Sequence, residues 1–439
     1  MRLIASVRIS HSPNKALGTG WQAGGFSSGT SYHMKNHTLA SLLALAALTP
    51  LVHAGTSEPA PEIKPVPEIP WIKPLIDIRL RYEFADVDRF DPSHAMTIRE
   101  RLGIKTKDWY GFSALVEGEF TQAIIDDYHG GAPGVTPFDP SNSTIPDPEN
   151  NELNQLYLQY SGFDTTLKLG RQRIIYDNAA FIGNVGWRQN EQTYDAFSIS
   201  NKSIEGLTAS YSYIDQVNRI FGDDALGIFE NAPCEIHLFN ASYTGIKDLT
   251  LGGYVYLMEF DDAGSTGWDN NTYGVNAKGV LGGVTLYGEL AYQEDAGPLN
   301  NEEGLYAHVY ATKAFGPHSF TVGIEHLDAG VQTPLATLHA FNGYADATDA
   351  SRFAGTHGGL TDTYASYTVP IFCGIKWMNQ VHVFGDNAIS DDLGFGFDSV
   401  LTKKFDDHFT AIAKLGYFDT NDKMYLTTTR ASIELNYTF

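Results

Sequence analysis

Ile76-Asp77-Ile78-Arg79-Leu80-Arg81-Tyr82-Glu83-Phe84 alternates without a break: every second residue is apolar and each residue between is charged. A period of two places the two sets on opposite faces of a β-strand, one greasy and one polar. A single strand of this kind fits a soluble sandwich as well as a membrane barrel, so the number of repeats decides. Comparable segments recur from Thr97 to Thr106, Phe112 to Thr121 and Leu153 to Tyr160, through Leu249 to Phe260 and Ile375 to Phe384, to a last one from Tyr425 to Phe439. The total is about 18, an even number, as bacterial single-chain barrels have.

The connections alternate in length. Tight ones such as Gly282-Gly283, Phe315 to His318 and Lys404 to His408 exchange with long polar ones: Gln122 to Asn151, Arg173 to Gln192, Asp215 to Glu235, Asp261 to Asn271, Asp328 to Thr361 and Gly385 to Leu393. Short periplasmic turns and longer extracellular loops describe an outer-membrane barrel, whereas a sandwich has no reason to alternate so regularly. The last strand carries Ala431, Ile433, Leu435, Tyr437 and the terminal Phe439 on one face, and Arg430, Ser432, Glu434, Asn436 and Thr438 on the other. A terminal Phe closing an alternating strand is the expected signal to the barrel-assembly machinery. Composition agrees: 43% of residues are hydrophobic, 18% charged and 13% aromatic. No apolar run of about 18 residues outside the N-terminal region could form a spanning helix.

The first 54 residues contain Arg2, Arg8, Lys15 and Lys35 but no acid, and end in an apolar stretch from Leu39 to Val52 followed by His53-Ala54. They read as a targeting segment: residues 1–33 an over-extended start, and 34–54 a signal peptide cleaved after Val52-His53-Ala54. Residues 55–73, rich in Pro and Glu, read as a periplasmic tail, and 74–439 as the transmembrane barrel. Without the leader 25 basic residues face 52 acidic ones, a balance of −27, which excludes nucleic acid as a partner. Cys234 and Cys373 fall at opposite ends of the barrel and should be unpaired.

Charge facing the bore is what a pore uses to select, because a low-dielectric wall strengthens it. The polar faces of the first two strands carry Arg79, Arg81, Arg99, Arg101 and Lys105, and closure brings Lys414 and Arg430 alongside. Lys168, Arg171 and Arg173 lie further round. Asp77, Glu83, Glu117 and Glu119 are lumenal too, so a selective basic track and a set of structural cross-strand salt bridges are both open readings.

The segment GRQRIIYDNAAFIGNVGWRQNEQ, Gly170 to Gln192, resembles one in the alginate export family of outer-membrane porins, where GRQ at a strand end precedes Y-D-N, F-I-G and W-x-Q. His339 to Asp346 and Gly359 to Tyr364 are similar to a later, lid-like loop of that family. The resemblance implies an 18-stranded monomeric barrel whose basic lumen passes an anionic polyuronate, gated by an extracellular loop and a periplasmic turn. Carried over by motif position, Arg171, Arg173 and Arg188 join the anion track, with Tyr176, Asp177 and Trp187 as constriction candidates. Ala179-Ala180 stand where such proteins often have Gln-Arg, and Asp346 and Asp349 where a basic residue is expected; both departures remove contacts for alginate itself.

Other classes carry less. Acidic pairs such as Asp126-Asp127, Asp223-Asp224, Asp261-Asp262 and Asp391-Asp392 offer the clustered oxygens that Ca²⁺ favours but lack EF-hand spacing; solvated loops are the preferred reading, with no metal or cofactor expected. His308, His326 and His382 fall in strands, but no Gly-x-Ser-x-Gly accompanies them in the mature chain. The expectation is therefore a non-enzymatic, monomeric outer-membrane channel. It touches the lipid bilayer and an anionic oligo- or polysaccharide; a general or sugar-uptake porin is the alternative, with a barrel hydrolase or adhesin behind it.

Overall fold

The computed structural model describes residues 71–262, 265–295, 303–354, 358–386, 392–420 and 422–439. The leader and the Glu58–Pro70 stretch lie outside the described residues. Among those described, eighteen antiparallel strands form one closed sheet, each paired to its neighbours in chain order, with β1 (Ile72–Val87) also paired to β18 (Thr428–Thr438). No helix among them is long and apolar enough to cross a membrane; the only α-helix, α1, is the short Asp349–Ala354. Closure leaves no open sheet edge, so every strand's backbone is satisfied by a neighbour.

Each alternating segment of the sequence coincides with a strand, the segments at Ile375 and Tyr425 starting before theirs, and several strands run further. β1 starts at Ile72, so Ile72 and Lys73, assigned above to the tail, pair with Thr106 and Lys105 of β2 (Ser93–Thr106). β3 (Phe112–Asp127) and β4 (Asn150–Gly162) extend past the alternating stretch and shorten the loop between them to residues 128–149. These extensions were hidden because strand ends above an apolar belt need no greasy face. β18 begins at Thr428, not Tyr425, whose ring is buried against Phe418.

Leu102, Val116, Leu156, Leu169, Val275, Leu290, Val309, Val383 and Ile433 stand exposed on the outer wall, as lipid-facing residues of such a barrel do. The inner face divides into two arcs. On β17 (Phe409–Asp419), β18, β1, β2 and β3 it carries ionised side chains. On β7 (Leu207–Asn218), β8 (Asn231–Ile246), β9 (Leu249–Phe260), β10 (Asn270–Leu281), β11 (Val284–Asp295), β12 (Gly304–Phe315), β13 (His318–Leu327) and β14 (Leu360–Pro370) it carries mostly tyrosines, hydroxyls and amides. Cys234, buried on β8 (Asn231–Ile246), and Cys373, exposed in the turn after β14, are both free.

Candidate solute path

Three of the loops fold back against the charged arc, and the arginines of that arc hold them there. Arg79 Nη1 donates to the carbonyls of Trp187 and Arg188, each at 2.9 Å, and Arg81 donates to the Trp187 carbonyl and to Asp147 at 2.8 Å. Trp187 and Arg188 belong to the loop over residues 173–192, between β5 (Thr165–Gln172) and β6 (Thr193–Asn201); Asp147 belongs to the β3–β4 loop. Arg430 of β18 donates to the Ala345 carbonyl of the β13–β14 loop at 2.9 Å and to Thr144 of the β3–β4 loop at 3.0 Å. The buried Arg188 guanidinium in return reaches Glu83 at 3.0 Å, Asp147 at 3.5 Å and Asp346 at 3.1 Å. One cation thus joins wall and three loops, and Gln189 adds a bond to Thr97 at 2.7 Å.

The structural reading of the basic ladder therefore holds for much of it. Arg99 pairs with Asp77, and Arg101 with Glu119 and Glu191. Arg173 bridges Glu117 and Glu191. Arg79 and Lys414 reach Glu434 at 3.3 and 3.8 Å. Lys105 and Lys168, nearer the short-turn end, enter no ion pair among the described residues; Lys168 Nζ lies 4.9 Å above the Tyr157 ring.

Arg171 is placed differently from the expectation. It is in register with Leu156 and shares its face with Leu169, both exposed on the outer wall, and it forms a bidentate pair with Asp195 at 2.8 and 3.0 Å. It does not line the bore. The motif residues also part company. Tyr176 stacks on Tyr256 and bonds Ser212 at 2.9 Å, and Asp177 accepts from Asn240 at 2.7 Å, all on the far arc, while Trp187 meets β1. A single loop touches both walls.

Trp187 is the second member of a column of five side chains. Arg188 lies over its ring at 4.2 Å, His339 stacks on it at 3.8 Å, Tyr344 stacks on His339 at 4.7 Å, and Lys414 caps Tyr344 at 5.4 Å. Cation–π and offset-stacking contacts favour this order of charges and rings. His339 Nδ1 lies 2.6 Å from Asp346 and Nε2 3.1 Å from Lys414 Nζ. Burial alone would raise the Asp346 carboxyl, but His339, Arg430 and Arg188 hold it down at about 2. Gly416 of β17 lets the loop approach, since a Cβ there would come within 2.4 Å of the Tyr344 backbone. His339 and Tyr344 were legible only as part of a resemblance, and nothing in their local sequence signals the column.

Along the seam of β17, β18 and β1 three cavities follow one another past this column. The one nearest the long loops is lined by Phe90, Thr144, Asp346 and Arg430; the middle one by Arg81, Glu83, His339, Tyr344, Lys414 and Arg430; the third by Asp77, Arg79, Lys414 and Glu434. Arg430 is shared by the first two, and Trp187 and Lys414 by the last two. The middle one is the pinch. Pairing here is unequal in exposure: Arg79, Arg430 and Lys414 keep 13–18% of their side-chain surface open, whereas Glu83, Asp346 and Glu434 keep 4–8%. Asp77, at the outlet toward the short turns, is the exposed acid.

The strand histidines are engaged with neighbours: His308 with Tyr364 at 2.9 Å, His326 with Thr361 and Asp328, and His382 between Asp362 and Asp398. Among the described residues no group of three or more His, Cys, Asp or Glu side chains is arranged to hold a metal ion.

Residues 71–234 match the sequence profile of the alginate export family. A search of curated protein sequences finds no match. Among solved structures the chain is similar to Pseudomonas aeruginosa OpdQ, at 12% identity and a TM-score of 0.62, over 84% of this chain and 97% of that one. It is similar to Acinetobacter baumannii OccAB4 at 13% and 0.64, over 84% and 98%. The Pseudomonas aeruginosa outer-membrane protein OpdK matches at 12% and 0.60, over 84% and 99%, and its structure is also known with vanillate. At such identities the likeness carries the fold alone, a porin-type β-barrel.

Proposed function

We propose that this protein is a selective outer-membrane channel that passes carboxylate-bearing solutes, uronate oligosaccharides among them, passively along the β17–β18–β1 seam. One observation carries the reading: along the seam Arg430, Lys414 and Arg79 are more exposed than Glu83, Asp346 and Glu434, the carboxylates they pair with, while Arg81 and Arg188 on the same carboxylates are covered. A solute following the seam meets Arg430, Lys414 and Arg79 in turn, while the near-neutral sum of charges keeps it from being trapped. The match of residues 71–234 to the alginate export family supports an anionic saccharide. The chain would act as a monomer in the outer membrane, inserted through the terminal strand, where Phe439 and Ile76 exchange backbone hydrogen bonds.

A channel for neutral sugars is the second reading, favoured by the tyrosines, serines and asparagine of the opposite arc, such as Tyr287, Ser212 and Asn276. Reversal potentials in planar bilayers under a salt gradient separate the two. The expected result is anion preference with block by oligouronates; cation preference, with block by neutral oligosaccharides instead, would overturn the first reading in favour of the second.

A further inference from the structure

His339 is the titratable ring at the middle of the column, and its two nitrogens face charges of opposite sign. We propose that His339 is the proton sensor of a latch across the seam: neutral, it ties the β13–β14 loop to Lys414 of β17, and protonated, it expels Lys414 and opens the pinch. The proposal rests on the reading of the seam as the solute path and adds its regulation.

The hydrogen-bond inventory defines the resting form. A lysine ammonium only donates, so Nε2 must accept from Lys414 at 3.1 Å, which places the imidazole proton on Nδ1, facing Asp346 at 2.6 Å. Protonating His339 puts an N–H against that ammonium, two donors and two positive charges at hydrogen-bond distance. Lys414 has somewhere to go, because Glu434 lies 3.8 Å from its Nζ. Its departure would uncap Tyr344 and widen the pinch that Lys414 lines, while Trp187 keeps its bond to the Thr337 carbonyl and His339 its contact with Asp346.

The surrounding charges set the direction. Burial lowers His339 below the ordinary imidazole range, Asp346 opposes this, and Lys414 and Arg188 lower it further. Arg430 of β18 and Arg81 and Glu83 of β1 line the same cavity. Asp346, at about 2, stays ionised through mild acid, whereas Asp349 on α1 is raised well above the usual carboxylate range by burial and by Asp346, which makes it the rival sensor. A base whose affinity for a proton is lower in the latched form favours that form fully above its unlatched pKa of about 6.5; the preference is lost as pH falls below that value. Acid should open the path.

Conductance and reversal potential of wild type, His339→Phe and His339→Gln at about pH 7.5 and about pH 5.5 test this. Phe keeps a ring in the column and Gln keeps both hydrogen bonds, and neither titrates in this range. Wild-type conductance should rise by roughly threefold or more on acidification, a shift of the order that one lost contact produces in a two-state element, and both variants should be flat. A step that survives in both variants would make Asp349 or another group the sensor and overturn the proposal, as would a flat wild type. Absence of anion preference at either pH would instead refute the solute-path reading, whatever the step.

Discussion

The two arcs of the inner wall differ in how they hold most carboxylates, Glu325 of β13, paired with Arg352 of α1 at 2.9 Å, being the exception on the far arc. On the charged arc Glu83 is held by Arg188, Arg430 and Arg81, and Glu119 by Arg101. On the far arc Glu289 accepts neutral donors, the Tyr254 and Tyr287 hydroxyls at 2.7 Å each and Asn178 at 3.2 Å. Tyrosines there lie flat along the wall, Tyr254 on Tyr256 at 4.7 Å and Tyr287 on Tyr310 at 4.9 Å, with Gly274 and Gly323 leaving room for rings. Ion pairs across loops fix position by long-range attraction and leave a charged surface; stacked rings fix it by contact and leave a neutral one. The same barrel therefore has one wall that anchors loops through clustered ion pairs, and one that anchors them mainly through rings and neutral hydrogen bonds.

The contrast breaks most visibly at Arg188. Arg188→Ala leaves Glu83, Asp147 and Asp346 facing one another in a covered site, and loss of one partner of a buried ion pair costs about 3–5 kcal/mol. Urea unfolding in detergent should show a lowered midpoint and bilayer recordings a noisier, wider channel; a wild-type midpoint would mean that the loops are held by something else. Next comes Gly416→Val, whose side chain would displace the Tyr344–Ala345 backbone. Its conductance should rise by roughly twofold or more, as expected when a gating loop is released, whereas Gly274→Ala on the far arc, whose Cβ would come within 2.1 Å of the Tyr254 ring, should lower the unfolding midpoint and leave conductance nearly unchanged.

Glu289→Gln sharpens the comparison from the neutral side. It replaces one set of hydrogen bonds by a weaker one and should cost about 1 kcal/mol with selectivity unaltered; a loss as large as that of Arg188→Ala would erase the distinction between arcs. Lys105→Gln with Lys168→Gln removes two cations without ion-pair partners among the described residues, so anion preference should fall modestly while the unfolding midpoint stays put. The smallest effect belongs to Arg171→Gln. Since Arg171 faces outward with Asp195, reversal potentials should match wild type; a drop like that expected on removing Arg79 would place it in the bore after all.

Part of the error over Arg171 could have been avoided from the sequence. Lys168 and Arg171 are three positions apart, so on a regular strand they cannot share a face. Lys168 is in register with Gln159 and Arg171 with Leu156, so grouping both as lumenal ignored the period. Arg173, beyond the strand end, was free to turn inward.

Alternation from Ile76 to Phe84 and its recurrences, with the exchange of short and long connections, pointed by themselves to a barrel of about 18 strands and put Arg79, Arg81, Arg99 and Arg101 on the polar face. Those are properties of residues two apart on one strand, and they need no knowledge of where the strand lies. Only the tertiary structure decided which of these cations remain exposed, that Trp187, His339 and Tyr344 stack between Arg188 and Lys414, and that Tyr176 sits on the other wall. The physical reason is separation along the chain: Glu83, Asp147, Arg188, Asp346 and Arg430 meet only after the barrel closes and three loops fold back, and nothing local in any of the five encodes the other four.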